Sequence, residues 1–192
     1  KHAKELKDTK QRLLGDKEYD LVAFFNSRNI RRKSVSDLLV AWKLFKEGLP
    51  KDKQNKVALI LHTAPVDDNG TDLYAVRDLL LGEDPNILFS SGRITPESMN
   101  VLYNLADVTI LPSSNEGWGL ALTESMMAGT MIIANTTGGM QDQMRFVDEN
   151  GKWIEFDENF CSNHFGTYKN HGEWAVPVYP SNISVVGSPK TP

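Results

Sequence analysis

Two glutamates bracket a glycine-rich stretch in residues 116–124, which read EGWGLALTE. Gly117 and Gly119 leave the backbone bare where an apolar run begins, although glycine disfavours a helix by about 1 kcal/mol relative to alanine. Exposed N–H groups at the positive end of a helix bind phosphate at close range. The stretch therefore predicts a phosphate site at the start of a helix.

The spacing of Glu116 and Glu124 argues against one acid–base pair acting at one bond. A helix rises about 1.5 Å per residue, so the two carboxylates lie roughly 10 Å apart along the chain. We expect them to contact different parts of one extended ligand. One would face the reacting end near the phosphates, and the other would accept hydrogen bonds from neighbouring hydroxyls, as a carboxylate does from ribose. The alternative makes Glu116 a capping acid and Glu124 a surface acid, and spacing alone favours neither.

A basic run in residues 26–34, NSRNIRRKS, follows the first apolar segment. Arg28, Arg31, Arg32 and Lys33 lie within six positions and lead into a predicted helix. Basic side chains beside free helix N–H groups predict an anion site, most naturally for phosphate. The alternative is a solvated basic loop, which the position at the end of a strand disfavours. The run has no GxGxxG, which argues against an ordinary dinucleotide-binding dehydrogenase.

Weaker signals surround these two stretches. His62 ends a predicted strand and is more typical of a structural histidine. The loop SSGRITPE (90–97) offers Arg93, Ile94 and backbone groups to a nucleobase. Gly138 and Gly139 permit a tight turn or a close approach to a ligand. Four large apolar residues are predicted to pack in the core: Trp42, Trp118, Met126 and Met127. Trp118 is also a candidate for a wall of the ligand pocket.

Short apolar runs alternate with segments of helical period along most of the chain. The predicted strands are 21–25, 57–62, 86–90, 107–112, 130–135 and a last one, KWIEF, at 152–156. The predicted helices are 34–48 with Ser34 as N-cap, 71–82 opened by Thr71 or Asp72, 95–106 capped by Thr95, and 120–129. This alternation predicts an α/β fold, a Rossmann-like doubly wound parallel sheet with its ligands at the carboxyl ends of the strands.

Composition excludes several classes of protein. The 192 residues carry a formal net charge of −4, so the basic run does not indicate a nucleic-acid binder. One cysteine, Cys161, excludes an intramolecular disulfide and a cysteine-built zinc site, and it fits a reducing compartment. No apolar run approaches the roughly 20 residues that span a bilayer. The start, KHAKELKDTK, is not a signal peptide. We therefore expect a cytoplasmic protein.

Together these motifs resemble the C-terminal, donor-binding domain of glycosyltransferases with the GT-B fold, most like the retaining enzymes of family 4. The family pattern E-G-F/W-G-L-x-x-x-E-A-M-A-x-G corresponds to EGWGLALTESMMAG, which is followed by a strand and TTGG. RNIRRKSVSDLLVAW and ADVTILPS also match, so the resemblance covers about residues 20–147. Ser125 and Met127 depart from the family's alanines, and GGMQDQ replaces the commoner Gly-Gly-x-x-Glu.

The resemblance implies a role for each matching residue. Arg28 and Lys33 correspond to a clamp on the diphosphate of a nucleotide-sugar. Glu116 corresponds to the catalytic glutamate that contacts the donor sugar, and Glu124 to the ribose-binding glutamate. The backbone of Gly117, Trp118, Gly119 and Leu120 would complete the phosphate site. The resemblance also implies that positive groups rather than a metal stabilise the departing nucleoside diphosphate, and the chain has no DxD. No cofactor is expected.

The resemblance further predicts the domain organisation and the reaction. Residues 1–19 would be a leading helix or linker, 20–156 the Rossmann-like donor-binding domain, and 157–192 an irregular, truncated extension. The enzyme would transfer a sugar with retention to an unknown acceptor, which could be a glycan, a lipid or a protein. An N-terminal acceptor-binding domain would be required, and it could also place the protein at a membrane surface. The alternatives are a non-catalytic nucleotide-sugar binding module and a GT-B nucleotide-sugar 2-epimerase.

Overall fold

The computed structural model describes residues 2–157 and 164–180 and contains one six-stranded parallel sheet. The strands are β1 (Leu21–Asn26), β2 (Val57–His62), β3 (Ile87–Ser90), β4 (Val108–Leu111), β5 (Met131–Asn135) and β6 (Ala175–Val178). Their order is β3-β2-β1-β4-β5-β6, and every neighbouring pair is parallel. The order reverses between β1 and β4, which is where such sheets bind ligands. The predicted doubly wound fold is confirmed.

Helices cover the sheet on both faces. They are α1 (His2–Leu14), α2 (Val35–Gly48), α3 (Lys51–Gln54), α4 (Leu73–Leu81), α5 (Pro96–Leu105), α6 (Leu120–Met127) and α7 (Gly139–Met144). Alternate residues of β1 enter two different cores: Ala23 packs in the cluster that contains Trp42 of α2, and Phe24 packs with Leu102 of α5. This alternation is the expected pattern of a parallel sheet that is buried on both faces.

The sixth strand lies elsewhere than predicted. Residues 152–156 form no strand, and the backbone of Trp153 pairs with Val147 in an isolated antiparallel bridge. The sixth strand is instead β6, within the segment that we expected to be irregular. Pro177 lies in this strand, and proline is tolerated there because β6 is the edge strand of the sheet that the described residues form.

Most predicted helix ends are observed, with one exception. The side chains of Thr95 and Asp72 accept hydrogen bonds from the N–H groups of Ser98 and Ala75, and Gly82 ends α4 in a left-handed conformation. Ser34 precedes α2 as predicted, but its φ of 51° is left-handed and its side chain makes no capping bond. Across the described residues, each helix is too short or too polar to span a bilayer.

Candidate functional site

A cleft of about 440 Å³ opens at the carboxyl ends of β1 and β4, where the order of the strands reverses. The basic turn after β1 forms one side, and the glycine-rich loop between β4 and α6 forms the other. Ser114 N–H joins the two segments by donating to the carbonyl of Arg32 at 2.8 Å. The lining residues are Asn26, Ser27, Lys33, Leu111, Glu116, Trp118, Gly119, Leu120, Ala121 and Glu124.

Glu116 is buried and is held by two cations. Lys33 donates a hydrogen bond to Oε1, and Arg32 Nη1 donates to Oε2 at 2.9 Å. Only 8% of the Glu116 surface is exposed, and only 9% of Lys33. Burial raises the pKa of Glu116, but the hydrogen bonds from Lys33, Arg32 and Ser113, together with the positive charge of Lys33, outweigh burial, so the pKa lies below its usual value. Glu116 is therefore a carboxylate inside the cleft rather than a surface helix cap.

Gly138 and Gly139 bring the turn after β5 against the glycine-rich loop. A Cβ on Gly138 would lie 2.3 Å from the carbonyl oxygen of Glu116, and one on Gly139 would lie 2.2 Å from that of Gly117. Gly139 N–H also donates to the Glu116 carbonyl at 3.1 Å. The close approach that these glycines permit is therefore to the loop that carries Glu116. Larger residues would push that loop away from β5.

The start of α6 points into the cleft with its backbone accessible. Gly119 precedes the helix with a φ of +86°, and no side chain caps the first turn. A Cβ on Gly117 would meet nothing within 4 Å. Both observations agree with the bare backbone expected from the sequence. N–H groups at this helix end can donate hydrogen bonds to an anion.

Trp118 is fixed although nearly half of its surface is exposed. Its Nε1 donates to Thr123 Oγ1 at 2.8 Å, and that hydroxyl donates to Gln143 Oε1 at 2.8 Å. Trp118 therefore forms a wall of the cleft, as predicted, whereas Trp42 is a core residue with 3% exposure. Met127 was expected to pack, but it is 84% exposed at the end of α6.

Glu124 lines the same cleft, and its carboxylate accepts a hydrogen bond from the buried Tyr103. The Tyr103 hydroxyl donates to Glu124 Oε2 at 2.7 Å and accepts from Asn26 Nδ2 at 2.9 Å. Glu116 and Glu124 thus face one cleft from different positions. This placement fits the prediction that they contact separate parts of one ligand.

Other predicted site residues lie outside the lining of the cleft. Arg28 binds Asp67 through both Nε, at 2.8 Å, and Nη2, at 3.1 Å. Arg93 is exposed, and Ile94 packs against the core cluster that contains Tyr103. The diphosphate role of Arg28 and the nucleobase roles of Arg93 and Ile94 stay predictions.

His62 has a local partner. Its Nδ1 lies 3.0 Å from Ser90 Oγ, and burial lowers its pKa. Among the residues that the structure describes, no three His, Cys, Asp or Glu side chains form a group that could hold a metal ion. Cys161 lies outside the described residues.

The residues that hold Glu116 and Glu124 in place include three that were not singled out from the sequence. Arg32 belongs to the recognised basic run, yet only the structure shows that it holds Glu116 while Arg28 turns to Asp67. Asn26 carried a usable signal, because it ends β1 at the edge of the sheet that binds ligands. Tyr103 carried none, since an aromatic residue within a helix is typical of a core.

Comparison with known proteins identifies the family that the chain resembles in sequence. The family model for glycosyl transferases group 1 matches residues 7–159. An uncharacterised glycosyltransferase of Methanocaldococcus jannaschii is 25% identical over 174 residues, which are 90% of this chain and 41% of that relative. A D-inositol 3-phosphate glycosyltransferase of Corynebacterium efficiens is 32% identical over 95 residues, 49% of this chain and 22% of the relative. The chain therefore spans less than half the length of these relatives.

Solved structures agree on the fold. The C-terminal domain of a group 1 glycosyl transferase from Francisella tularensis has a TM-score of 0.57 at 18% identity, with 81% of this chain and 74% of that domain covered. A sucrose-phosphate synthase from Thermosynechococcus elongatus has a TM-score of 0.54 at 26% identity, with 72% of this chain and 33% of the other covered. The similarity to the isolated C-terminal domain covers most of both chains.

Proposed function

The chain belongs to the glycosyl transferases group 1 family, and we propose that it is the donor-binding lobe of a retaining glycosyltransferase that uses a nucleoside diphosphate sugar. The observation that carries the proposal is the contact of Lys33 with Glu116 in a cleft that also contains Glu124 and the start of α6. A cation, a helix N-terminus and two separated carboxylates are the groups that an extended donor of this class requires.

The diphosphate would bind between the basic turn and α6. Lys33 and Arg32 neutralise the carboxylate of Glu116. A diphosphate carries more negative charge than a carboxylate, so it can bind the same two cations more strongly. The N–H groups at the start of α6 add further donors. When the bond from the anomeric carbon to the diphosphate oxygen breaks, the electron pair stays on that oxygen, and these groups stabilise the new charge. This charge compensation is our reason for proposing that the transfer needs no metal.

Glu116 would contact the donor sugar while Glu124 holds the ribose. Glu116 stays ionised at neutral pH because its pKa is lowered, so it can accept hydrogen bonds from sugar hydroxyls or stabilise positive charge at the anomeric carbon. The acceptor hydroxyl would attack the face that the nucleoside diphosphate leaves, and its proton would pass to the departing phosphate oxygen. This sequence retains the anomeric configuration.

The acceptor site would lie in a part of the enzyme that this chain does not include. We propose that an N-terminal domain supplies the acceptor site, that the protein is cytoplasmic, and that the present chain alone binds the donor weakly and transfers sugar poorly. Robust transfer to an acceptor by the 192-residue chain would contradict this division of labour.

A thermal-shift screen with UDP, GDP, ADP and their sugars tests donor binding. A ligand at 100 times its dissociation constant stabilises a protein by about 2.7 kcal/mol, which raises the melting temperature measurably. We expect one base to give a clear shift, and no shift with any of them would contradict the proposal. Incubating the full-length enzyme with the selected nucleotide-sugar and no acceptor distinguishes a 2-epimerase, which would convert the sugar to its epimer.

A further inference from the structure

Tyr103 is a buried residue beneath the cleft whose ring position is fixed from several sides. It lies on α5 and is 1% exposed. Its ring packs edge-on to Phe24 of β1, with the centroids 5.1 Å apart. Its carbonyl accepts a hydrogen bond from Thr130 Oγ1 at 2.8 Å. The hydroxyl, which contacts the lining residues Asn26 and Glu124, is therefore held on a rigid support.

The hydrogen bonds of this hydroxyl run in one direction. Asn26 Nδ2 can only donate, so the phenol oxygen accepts from it at 2.9 Å. The single phenol proton is then available for Glu124 Oε2 at 2.7 Å. Burial raises the pKa of Tyr103, and the phenol therefore keeps this proton.

Glu124 gains a defined orientation from this contact. Its side chain is exposed on α6, where a glutamate without a partner would sample several rotamers. The bond to Tyr103 fixes Oε2, and the Glu124 side chain lines the cleft. A carboxylate oxygen held in this way can accept a hydrogen bond from a sugar hydroxyl without losing further freedom.

We propose that Tyr103 is a positioning residue that aims Glu124 at the ribose, and that the Asn26–Tyr103–Glu124 chain makes the site prefer ribonucleotides to 2′-deoxyribonucleotides. This inference rests on the proposed function, because it assumes that the cleft binds a nucleoside diphosphate. It goes further in assigning a selectivity for the sugar of the nucleotide to a residue that does not touch it.

The test compares ribonucleotide and deoxyribonucleotide affinities by calorimetry. The probes are whichever of UDP, GDP and ADP the wild-type protein binds most tightly, together with its 2′-deoxy counterpart. We expect wild type to bind the ribonucleotide about 10-fold more tightly, because the deoxy form leaves a carboxylate oxygen unpaired. Tyr103→Phe should reduce this ratio to about twofold by weakening the ribonucleotide alone. Tyr74→Phe, which removes an exposed phenol on α4, is the matched control and should keep the wild-type ratio.

A double-mutant cycle separates positioning from general structural damage. If Tyr103 acts through Glu124, adding Tyr103→Phe to the Glu124→Ala variant should not change the affinity for the ribonucleotide or for the deoxyribonucleotide any further. An unchanged ratio in Tyr103→Phe, an equal loss for both nucleotides, or additive losses in the cycle would overturn the proposal. Absence of any nucleotide binding by wild type would instead reject the proposed function, and this inference with it.

A second variant applies if Tyr103→Phe does not fold. Asn26→Ser keeps the tyrosine but removes the amide that donates to its hydroxyl. The freed phenol should hold Glu124 less firmly, and the ratio should fall below that of wild type. A wild-type ratio in folded Asn26→Ser would overturn the role of the chain.

Discussion

Lys33 donates a hydrogen bond to Glu116 across 83 positions of sequence, and both side chains are largely buried. The contact joins the basic turn after β1 to the glycine-rich loop after β4, so it bridges the point where the order of the strands reverses. Arg32 holds the second oxygen of the same carboxylate at 2.9 Å. A diphosphate that enters the cleft would compete with Glu116 for these cations, and mutations at this pair should therefore affect binding and transfer differently.

Glu116→Gln in the full-length enzyme should impair sugar transfer far more than nucleotide binding. Glutamine keeps the shape of the side chain but removes the negative charge that faces the donor sugar. The same change removes the charge that competes with the diphosphate for Lys33 and Arg32. We expect kcat to fall by about 100-fold or more, the usual effect of losing one electrostatic contact in a transition state. Steady-state kinetics and calorimetry measure the two effects.

The control for this variant is Glu149→Gln, which changes an exposed glutamate in the turn after α7. It should alter neither kcat nor the affinity for nucleoside diphosphate. Equal losses of transfer and of binding in Glu116→Gln would show that Glu116 does not act mainly on the sugar.

Acid should weaken the fold through Glu116. Because the folded-state pKa is lowered, the unfolded chain takes up a proton first as the pH falls. The contribution is complete above pH 4.5, the unperturbed pKa, and is lost as the pH falls from there through the folded pKa. The difference in unfolding free energy between wild type and Glu116→Gln should be constant near neutrality and shrink below about pH 4.5. Denaturant titrations over this range check it, and a difference that grows in acid would reverse the sign.

Gly139→Ala should destabilise the protein by about 1–3 kcal/mol, the usual cost of overpacking. The new Cβ would lie 2.2 Å from the Gly117 carbonyl oxygen, so the glycine-rich loop must shift and donor binding should weaken as well. Gly48→Ala is the matched control, because a Cβ there meets nothing within 4 Å. Thermal unfolding measures both variants. Equal melting temperatures for Gly139→Ala and Gly48→Ala would contradict the role of Gly139 in placing the loop.

The order of the elements could be predicted because local patterns carry it. The apolar runs that became β1 to β5, the caps Thr95 and Asp72, and the glycine that ends α4 are all signals within a few residues. β6 could not be predicted, because a four-residue edge strand that contains Pro177 has weak local preference. Its strand conformation depends on pairing with β5.

The site was predictable in its segments but not in its pairings. The stretch EGWGLALTE and the basic run both reach the cleft, yet the choice of Arg32 over Arg28 as the partner of Glu116 depends on how the turn after β1 bends. Arg28 instead binds Asp67, which lies in a loop that is distant in sequence. Tyr103 meets Glu124 only because α5 and α6 pack side by side on one face of the sheet.

The most direct test of the account is a calorimetric titration of wild type, Lys33→Ala and Lys43→Ala with the nucleoside diphosphate that the screen selects. Lys43 is the control, since it lies on α2 and forms an ion pair with Glu47, at 3.4 Å, on the same helix. We predict one saturable site in wild type, unchanged affinity in Lys43→Ala, and an affinity about 10- to 100-fold weaker in Lys33→Ala, as expected for losing a charge-assisted hydrogen bond. Equal affinities for Lys33→Ala and wild type, or no binding to wild type, would contradict a diphosphate site in this cleft.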